Sequence, residues 1–283
     1  GRARMRAHGG AARYAGPSAL GNDARRVVNL TVMLAVTDFK LRFFGSVLGY
    51  LWTLMRPLLL FGVLYFVFTE VVRFGDGIAH YPLYLLTSIV LFSFFSETTA
   101  RGVNALVERE NLLRKVRFPR MVIPLSVSLH SLFYLGLNLI VVFVFVVASG
   151  VAPRASWLQL VPLLALLVTL ATGVVMLLSA LYVRYRDMQP IWEVALQMLF
   201  YASPVIYVSS FLPQSIRAEA MANPIASILT QMRHALLDPS APTAAQTIGG
   251  AGYLLVPLAV ILGTFALGLW VFMREAPRIA ENL

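Results

Sequence analysis

Six long apolar stretches punctuate the chain: Leu51 to Val72, Leu83 to Val107, Met121 to Ala148, Leu158 to Val183, Ile191 to Val208 and Tyr253 to Met273. Each lies near the ~20 residues that a helix needs to cross a hydrocarbon core. The pattern therefore predicts an all-α membrane protein with six transmembrane helices. Ahead of the first stretch, Val28, Val32, Ala35, Val36, Phe39 and Phe43 recur at helical spacing, while Arg25, Arg26, Asn29, Lys40 and Arg42 decorate other faces. That predicts an N-terminal amphipathic helix over 23–46 lying in the membrane interface, with a soluble helix packed on a partner as the other reading. Residues 1–22 are rich in Arg, Ala and Gly without an apolar period and read as a flexible tail. Residues 47–283 then form the six-span domain.

Polar interruptions refine the pattern. Trp52 and Arg56-Pro57 open the first span as an aromatic anchor and a cation at head-group depth, with Pro57 near a helix start. Gly45 and Gly49 read either as a close-contact pair or as an elbow between the interfacial and spanning helices. In the second span Glu97 is costly against lipid, so it should face protein or water and pair with Arg101 one turn on. That pair is either a satisfied structural contact or part of a gate. After the fifth span, Ser203-Pro204 leads into a segment over 209–250 broken by Pro213, Pro224, Pro239 and Pro242. Within it, Ile225, Ile228, Leu229, Met232 and Leu236 predict a short amphipathic helix that lies on the leaflet or dips back between spans.

Composition agrees with a membrane protein: 59% of the residues are hydrophobic and 13% charged, against about a quarter charged in a soluble domain. The net charge of +10 changes the picture through its placement. Of the Lys and Arg residues, only Arg73, Arg154, Arg217 and Arg233 fall on one side of the threaded chain. Basic flanks stay in the cytoplasm, so both termini should be cytoplasmic. The cations sit at the ends of apolar runs, where topology and anionic lipid account for them, and nucleic-acid binding is excluded as the reading. There is no Cys, hence no disulfide framework or thiolate chemistry. Val27 to Val36 is followed by Asp38-Phe39-Lys40 instead of a small-residue cleavage site, so no cleavable signal is expected. Gly1 in place of Met suggests a trimmed start.

Catalytic chemistry is sparse. The two lysines, Lys40 and Lys115, stand outside any Gly-x-x-x-x-Gly-Lys pattern, so the chain is no ordinary P-loop ATPase. His8, His80, His130 and His234 lack ligand spacing, and no metal site is expected. His130 reads as a satisfied interior side chain. What remains is a polar and aromatic stripe: Glu193, Gln197 and Tyr201 at i, i+4 and i+8 on the fifth span, with Phe200 and Pro204 adjacent, and Ser88, Phe92, Phe95 and Thr99 on one face of the second. Such a stripe reads as plain helix packing or as the wall of a passage for a polar polymer, since aromatic rings offer flat apolar surface and polar groups exchange hydrogen bonds with hydroxyls. The segment 108–120, Glu108 to Arg120, carries an apolar ridge of Leu112, Leu113, Val116 and Phe118 among charges, which it can bury in something outside the membrane. It reads as a docking ridge for a cytoplasmic partner or the lipid interface, or as a topogenic basic loop. A second inside loop over 183–190 carries Arg184, Tyr185, Arg186 and Asp187.

Several of these motifs occur together. Phe39-Lys40, the run Gly45 to Trp52, Arg56-Pro57, the run Glu110 to Arg120, Tyr185-Arg186-Asp187, Ser203-Pro204-Val205-Ile206-Tyr207 and Asn223-Pro224 resemble the membrane subunit of ATP-binding-cassette polysaccharide exporters, the permeases for O-antigen, teichoic acid and galactan. The resemblance covers about residues 25–275. It implies a homodimer of six-span subunits in the bacterial inner membrane, docked on two copies of a cytoplasmic ATPase that binds ATP and Mg. The implied cargo is an undecaprenyl- or decaprenyl-linked polysaccharide. Carried over by position, Glu108, Arg109, Glu110, Asn111, Leu112, Leu113, Arg114, Lys115 and Phe118 would form the main coupling contact, and Arg184, Tyr185, Arg186 and Asp187 the smaller one. Short periplasmic helices between spans five and six would gate the exit, with Pro204, Tyr207, Pro213, Asn223 and Pro224. Ser88, Phe92, Phe95, Glu193, Gln197, Phe200 and Tyr201 are the candidate wall. A drug or lipid exporter of the same superfamily is the alternative. A secondary transporter would want intramembrane ionisable groups or paired broken helices, and a membrane-bound transferase a cluster of carboxylates or histidines.

Overall fold

The computed structural model describes residues 24–43, 47–73, 77–110 and 119–282, apart from the side chains of 42–50, 53 and 277–282. Its regular elements are all helical: α1 (Ala24–Phe43), α2 (Val47–Tyr65, continued by a π-helical turn, Phe66–Val71), α3 (Tyr81–Glu108), α4 (Val122–Ala148) and α5 (Leu160–Arg184). Then come α6 (Met188–Ala202), α7 (Gln214–Met221), α8 (Pro224–Met232, continued by a π-helical turn, Arg233–Leu237), α9 (Ala244–Ile248) and α10 (Leu255–Asn282). The mostly apolar α3 is the axis of the bundle and packs against α2, α4, α5 and α6. A helix that is apolar nearly all round is stable only when surrounded, and Tyr84, Leu85, Leu86, Ile89 and Leu91 are accordingly almost fully buried.

The most extensive pairing joins α5 to α10. Small residues allow it: a Cβ on Gly268 would lie 2.1 Å from the Gly173 carbonyl oxygen, and one on Gly173 would lie 2.6 Å from the Phe265 Cα. Between membrane helices, where lipid is as apolar as a side chain, close backbone approach supplies the dispersion contacts that hold two helices together.

Among the described residues, five stretches are long and apolar enough to cross a membrane: Leu54–Val71, Tyr81–Glu108, Val122–Ala148, Ala155–Arg184 and Ala251–Ala276. The expected sixth, Ile191 to Val208, is where the reading of a continuous span has to be corrected. There α6 has only 15 residues, about 22 Å of helix at ~1.5 Å per residue. The chain leaves the helix at Ser203, whose backbone is extended at φ −99° and ψ 146°. Pro204 causes this, because its ring disfavours a helical conformation in the residue before it and it has no amide hydrogen to continue the ladder. Hydropathy counts apolar residues and runs past that break to Val208.

Two smaller corrections concern the start of the bundle. The helix α2 already begins at Val47, so Pro57 lies in its interior, and Gly49 is helical; Gly45 lies outside the described residues. On α1, Val27, Thr31 and Ala35 are buried while Val28 and Val32 of the apolar stripe are exposed. The buried side packs against α4, with Phe39 set 5.5 Å from the rings of both Phe133 and Tyr134. His130 joins that aromatic cluster, 4.9 Å from Tyr134. At the opposite end, Ile225, Ile228, Leu229, Met232 and Leu236 of α8 and its π-helical turn are all buried, against α3, α5 and α10.

Candidate functional site

An open cleft of about 730 Å³ runs between α2 and α6 with α3 as its floor. Its lining mixes charge, hydroxyl and ring: Arg56, Ser96, Glu97, Glu193, Gln197, Phe92 and Phe200 border it. The Glu97 carboxylate lies 3.3 Å from Arg56 Nη1 and 3.8 Å from Arg101 Nη2. Glu97 therefore bridges α2 and the next turn of its own helix. The pair with Arg101 follows from the i, i+4 spacing. Arg56 is the partner that spacing could not reveal, although opposite charges at similar depth in consecutive antiparallel spans were a usable signal.

The α6 wall is lightly attached. No residue of α6 is buried, and its ties to α3 are few: Trp192 Nε1 donates to Thr99 Oγ1 at 3.0 Å, the Phe200 ring meets Phe92 edge-on at 5.2 Å, and Trp192 meets Phe95 at 6.4 Å. Of the stripe residues, Phe92, Glu193, Gln197 and Phe200 meet at the cleft. Ser88 is fully buried in the bundle and Phe95 sits behind Trp192; neither lines it. Tyr201 is exposed and borders a separate apolar hollow of about 440 Å³ with Phe68, Phe200, Ile206, Tyr207 and Phe211.

Below the cleft, at the basic end, a pocket of about 420 Å³ is bordered by Asp38, Arg101, Asn104, Glu108, Arg109, His130, Gln189 and Glu193. Arg109 forms an ion pair with Asp38 of α1 and donates from Nη1 to Ser126 Oγ of α4 at 3.0 Å. That one guanidinium ties the end of α3 to both neighbours. Glu108 accepts from Asn104 Nδ2 at 2.9 Å. Asn111, Leu112, Leu113, Arg114, Lys115 and Phe118 lie outside the described residues. Arg184, Tyr185, Arg186 and Asp187 are exposed where α5 turns into α6, and Arg186 lies 5.0 Å from the centre of the Tyr182 ring.

At the other end the chain after α6 is pinned to α3. The Tyr81 hydroxyl donates to the Ile206 carbonyl at 2.7 Å, and the Tyr84 hydroxyl is shared between the carbonyls of Pro204 and, at 3.1 Å, Tyr207. Asn223 donates from Nδ2 to Ser203 Oγ at 2.9 Å and caps α8 by accepting from the Ile225 amide. Its neighbour Pro224 occupies the first helical position, where a missing amide hydrogen costs nothing. Pro213 stands one position earlier relative to its own helix, at the N-cap of α7. Neither tyrosine was singled out from the sequence, because a Tyr at a helix start carries no periodic signal.

Residues 29–237 match the family described as ABC-2 type transporter. The chain belongs to that family. Among similar ABC-2 relatives, the O-antigen export system permease protein RfbA of Klebsiella pneumoniae is 30% identical over 260 residues, covering 90% of this chain and 95% of that protein. An O-antigen export system permease protein RfbA of Myxococcus xanthus is 32% identical over 219 residues, covering 76% and 83%. The polysialic acid transport protein KpsM of Escherichia coli is 23% identical over 206 residues, covering 72% and 80%. The match takes in the cleft, the Asp38 and Arg109 pair and α8. An ABC-2 chain is a membrane transporter component.

Proposed function

We propose that the chain is the transmembrane permease subunit of an ABC exporter that moves a lipid-linked polysaccharide out across the bacterial inner membrane. The observation that carries this reading is the cleft: a polymer of sugars offers both hydroxyls and flat apolar ring faces, and Glu193, Gln197, Arg56 and Glu97 stand beside Phe92 and Phe200 there. The names of the RfbA and KpsM relatives support it. An apolar drug or lipid cargo would lie against the Arg56 and Glu97 ion pair and against Glu193 and Gln197 without offering them hydroxyls to exchange hydrogen bonds with.

One copy has an open cleft, so two copies in an isologous homodimer would close it into a passage. Two copies of a separate ATPase would bind ATP and Mg and press on 108–120 and on Arg184 to Asp187. Rigid-body movement of α6 against α3 would then open the path. The α6 helix with Ser203 to Val208 would complete the sixth crossing, and the excess of cations on one side sets both termini in the cytoplasm.

The test is a reconstituted complex of the chain with its ATPase. Replacing Glu110, Arg114 and Lys115 together with Ala lowers transport-coupled ATP hydrolysis while membrane insertion persists. Unchanged stimulation of the ATPase by the triple variant would refute the coupling assignment, and failure of the wild-type complex to export any glycan would refute the function.

A further inference from the structure

We infer that Tyr81 and Tyr84 are positioning residues for the exit: they fasten Pro204 to Tyr207 to α3, so that the moving joint lies before Ser203 in the last turn of α6. The inference rests on the reading of 203–250 as the outer gate and adds which side of the gate is fixed.

Burial changes abruptly at the joint. Tyr201 and Ala202 are exposed, whereas Ser203, Pro204, Val205 and Ile206 are all buried. The segment leaves the helical ladder, and its amides give it little in return, with Val205 reaching only the Ser203 carbonyl at 2.7 Å. At membrane depth the carbonyls so released need donors from the protein itself. The hydroxyls of Tyr81 and Tyr84 supply donors to Pro204, Ile206 and Tyr207. From the other side Asn223 holds Ser203. A third element steadies the clamp: the Arg233 guanidinium stands 5.8 Å from the centre of the Tyr84 ring and 3.6 Å from Asp238. The segment is thus buried and gripped by α3 and α8, while α6, with no buried residue, is held to α3 more lightly, through the Trp192 hydrogen bond and the ring contacts of Trp192 and Phe200. When α6 tilts, 203–208 stays behind.

The chain lacks cysteine, so a single introduced thiol can report on the clamp. Ile206→Cys, carried in the full transporter with its ATPase, is labelled from outside by a membrane-impermeant maleimide without nucleotide. Adding Tyr84→Phe, which keeps the ring and loses the donor, raises the labelling rate about tenfold, as expected for removing one buried hydrogen bond from a closed-to-open equilibrium. Tyr81→Phe raises it less, since it frees one carbonyl where Tyr84 serves two. Nucleotide-stimulated ATPase stays at the parent's value and the thermal unfolding midpoint falls by no more than the few degrees that one buried hydrogen bond accounts for, whereas a general packing defect would lower both together. Unchanged labelling in both Phe variants overturns the inference, as does a rise accompanied by a fall in both the midpoint and the ATPase. Export by the parent complex is measured in the same vesicles: its loss would count against the exporter reading, whereas flat labelling beside intact export counts against the clamp alone.

Discussion

Helices α2 and α3 are comparably apolar neighbours, yet 78% of the apolar window of α3 is buried and only 6% of that of α2. The difference separates a scaffold from a working flank. On the scaffold side, α3, α5 and α10 interlock through small residues and large buried side chains, so that neither helix of a pair can shift without a clash. On the flank, α2 and α6 present apolar surface outward and face the cleft with Arg56, Glu193 and Gln197. Burial, together with the close backbone contact that locks α10 to α5 although only 17% of its window is buried, tells which helices are fixed, and the polar lining tells what the free ones face. Apolarity alone told neither.

The sharpest way to break this division is at Gly268. Because a Cβ there would meet backbone at Gly173 and not a flexible side-chain end, Gly268→Val should cost about 3 kcal/mol or more, at or beyond the upper end for overpacking. Val63→Ala on the exposed face of α2 should stay within about 0.5 kcal/mol, as surface changes do. Thermal unfolding in detergent, followed by loss of the monodisperse species, checks both. Equal midpoints for the two variants would mean that the buried axis is not what holds the bundle.

A smaller effect tests the flank. Glu97→Gln leaves the shape of the side chain and removes the charge that Arg56 and Arg101 share. Both partners are partly solvated and Arg56 is 71% exposed, so the stability cost should be below about 1 kcal/mol, while export falls severalfold. A loss of stability comparable to that of Gly268→Val would show that Glu97 is a strut and not a group of the cleft.

What the sequence disclosed follows the same line. The spans were legible because hydrocarbon length and hydropathy act on every residue of a stretch, and the α8 stripe because five apolar residues share one helical face. The end of α6 is not legible in hydropathy, because one proline overrules the apolar residues that follow it. The pairing of Glu97 with Arg101 is local and readable from spacing; its pairing with Arg56, 41 residues away, depends on how two helices meet. Phe92, Phe200, Glu193 and Gln197 were picked from two periodic stripes, and they converge on the cleft. Ser88 shares the stripe and faces the core, since a period of 3.6 names a face without naming its neighbour. The tyrosine contacts join residues 120 or more apart in the chain to main-chain carbonyls, and a carbonyl has no side-chain identity to read.

A local effect is expected outside the candidate spans, at Asp238, and it sharpens how the segment 209–250 is attached to the scaffold. Burial alone would raise its carboxyl, but the Ser240 hydroxyl at 2.5 Å and amide at 3.0 Å, with the Arg233 and His80 charges, hold it below the ordinary value. A carboxyl lowered in the folded state adds stability that is complete above its unfolded value of about 3.9. That contribution is lost as pH falls through the folded value. Protease resistance of 209–250 should therefore be level from pH 7 to 5 as far as Asp238 is concerned, and decline only in stronger acid. Asp238→Asn, which removes the charge from Arg233 at every pH, should lower that resistance at pH 7 by about 1 kcal/mol. The part of the acid-induced decline that belongs to Asp238 should vanish with it. If the variant instead kept the full parental acid profile, the Arg233 and Asp238 pair would not be what steadies that segment, and α8 would owe its place to its buried apolar face alone.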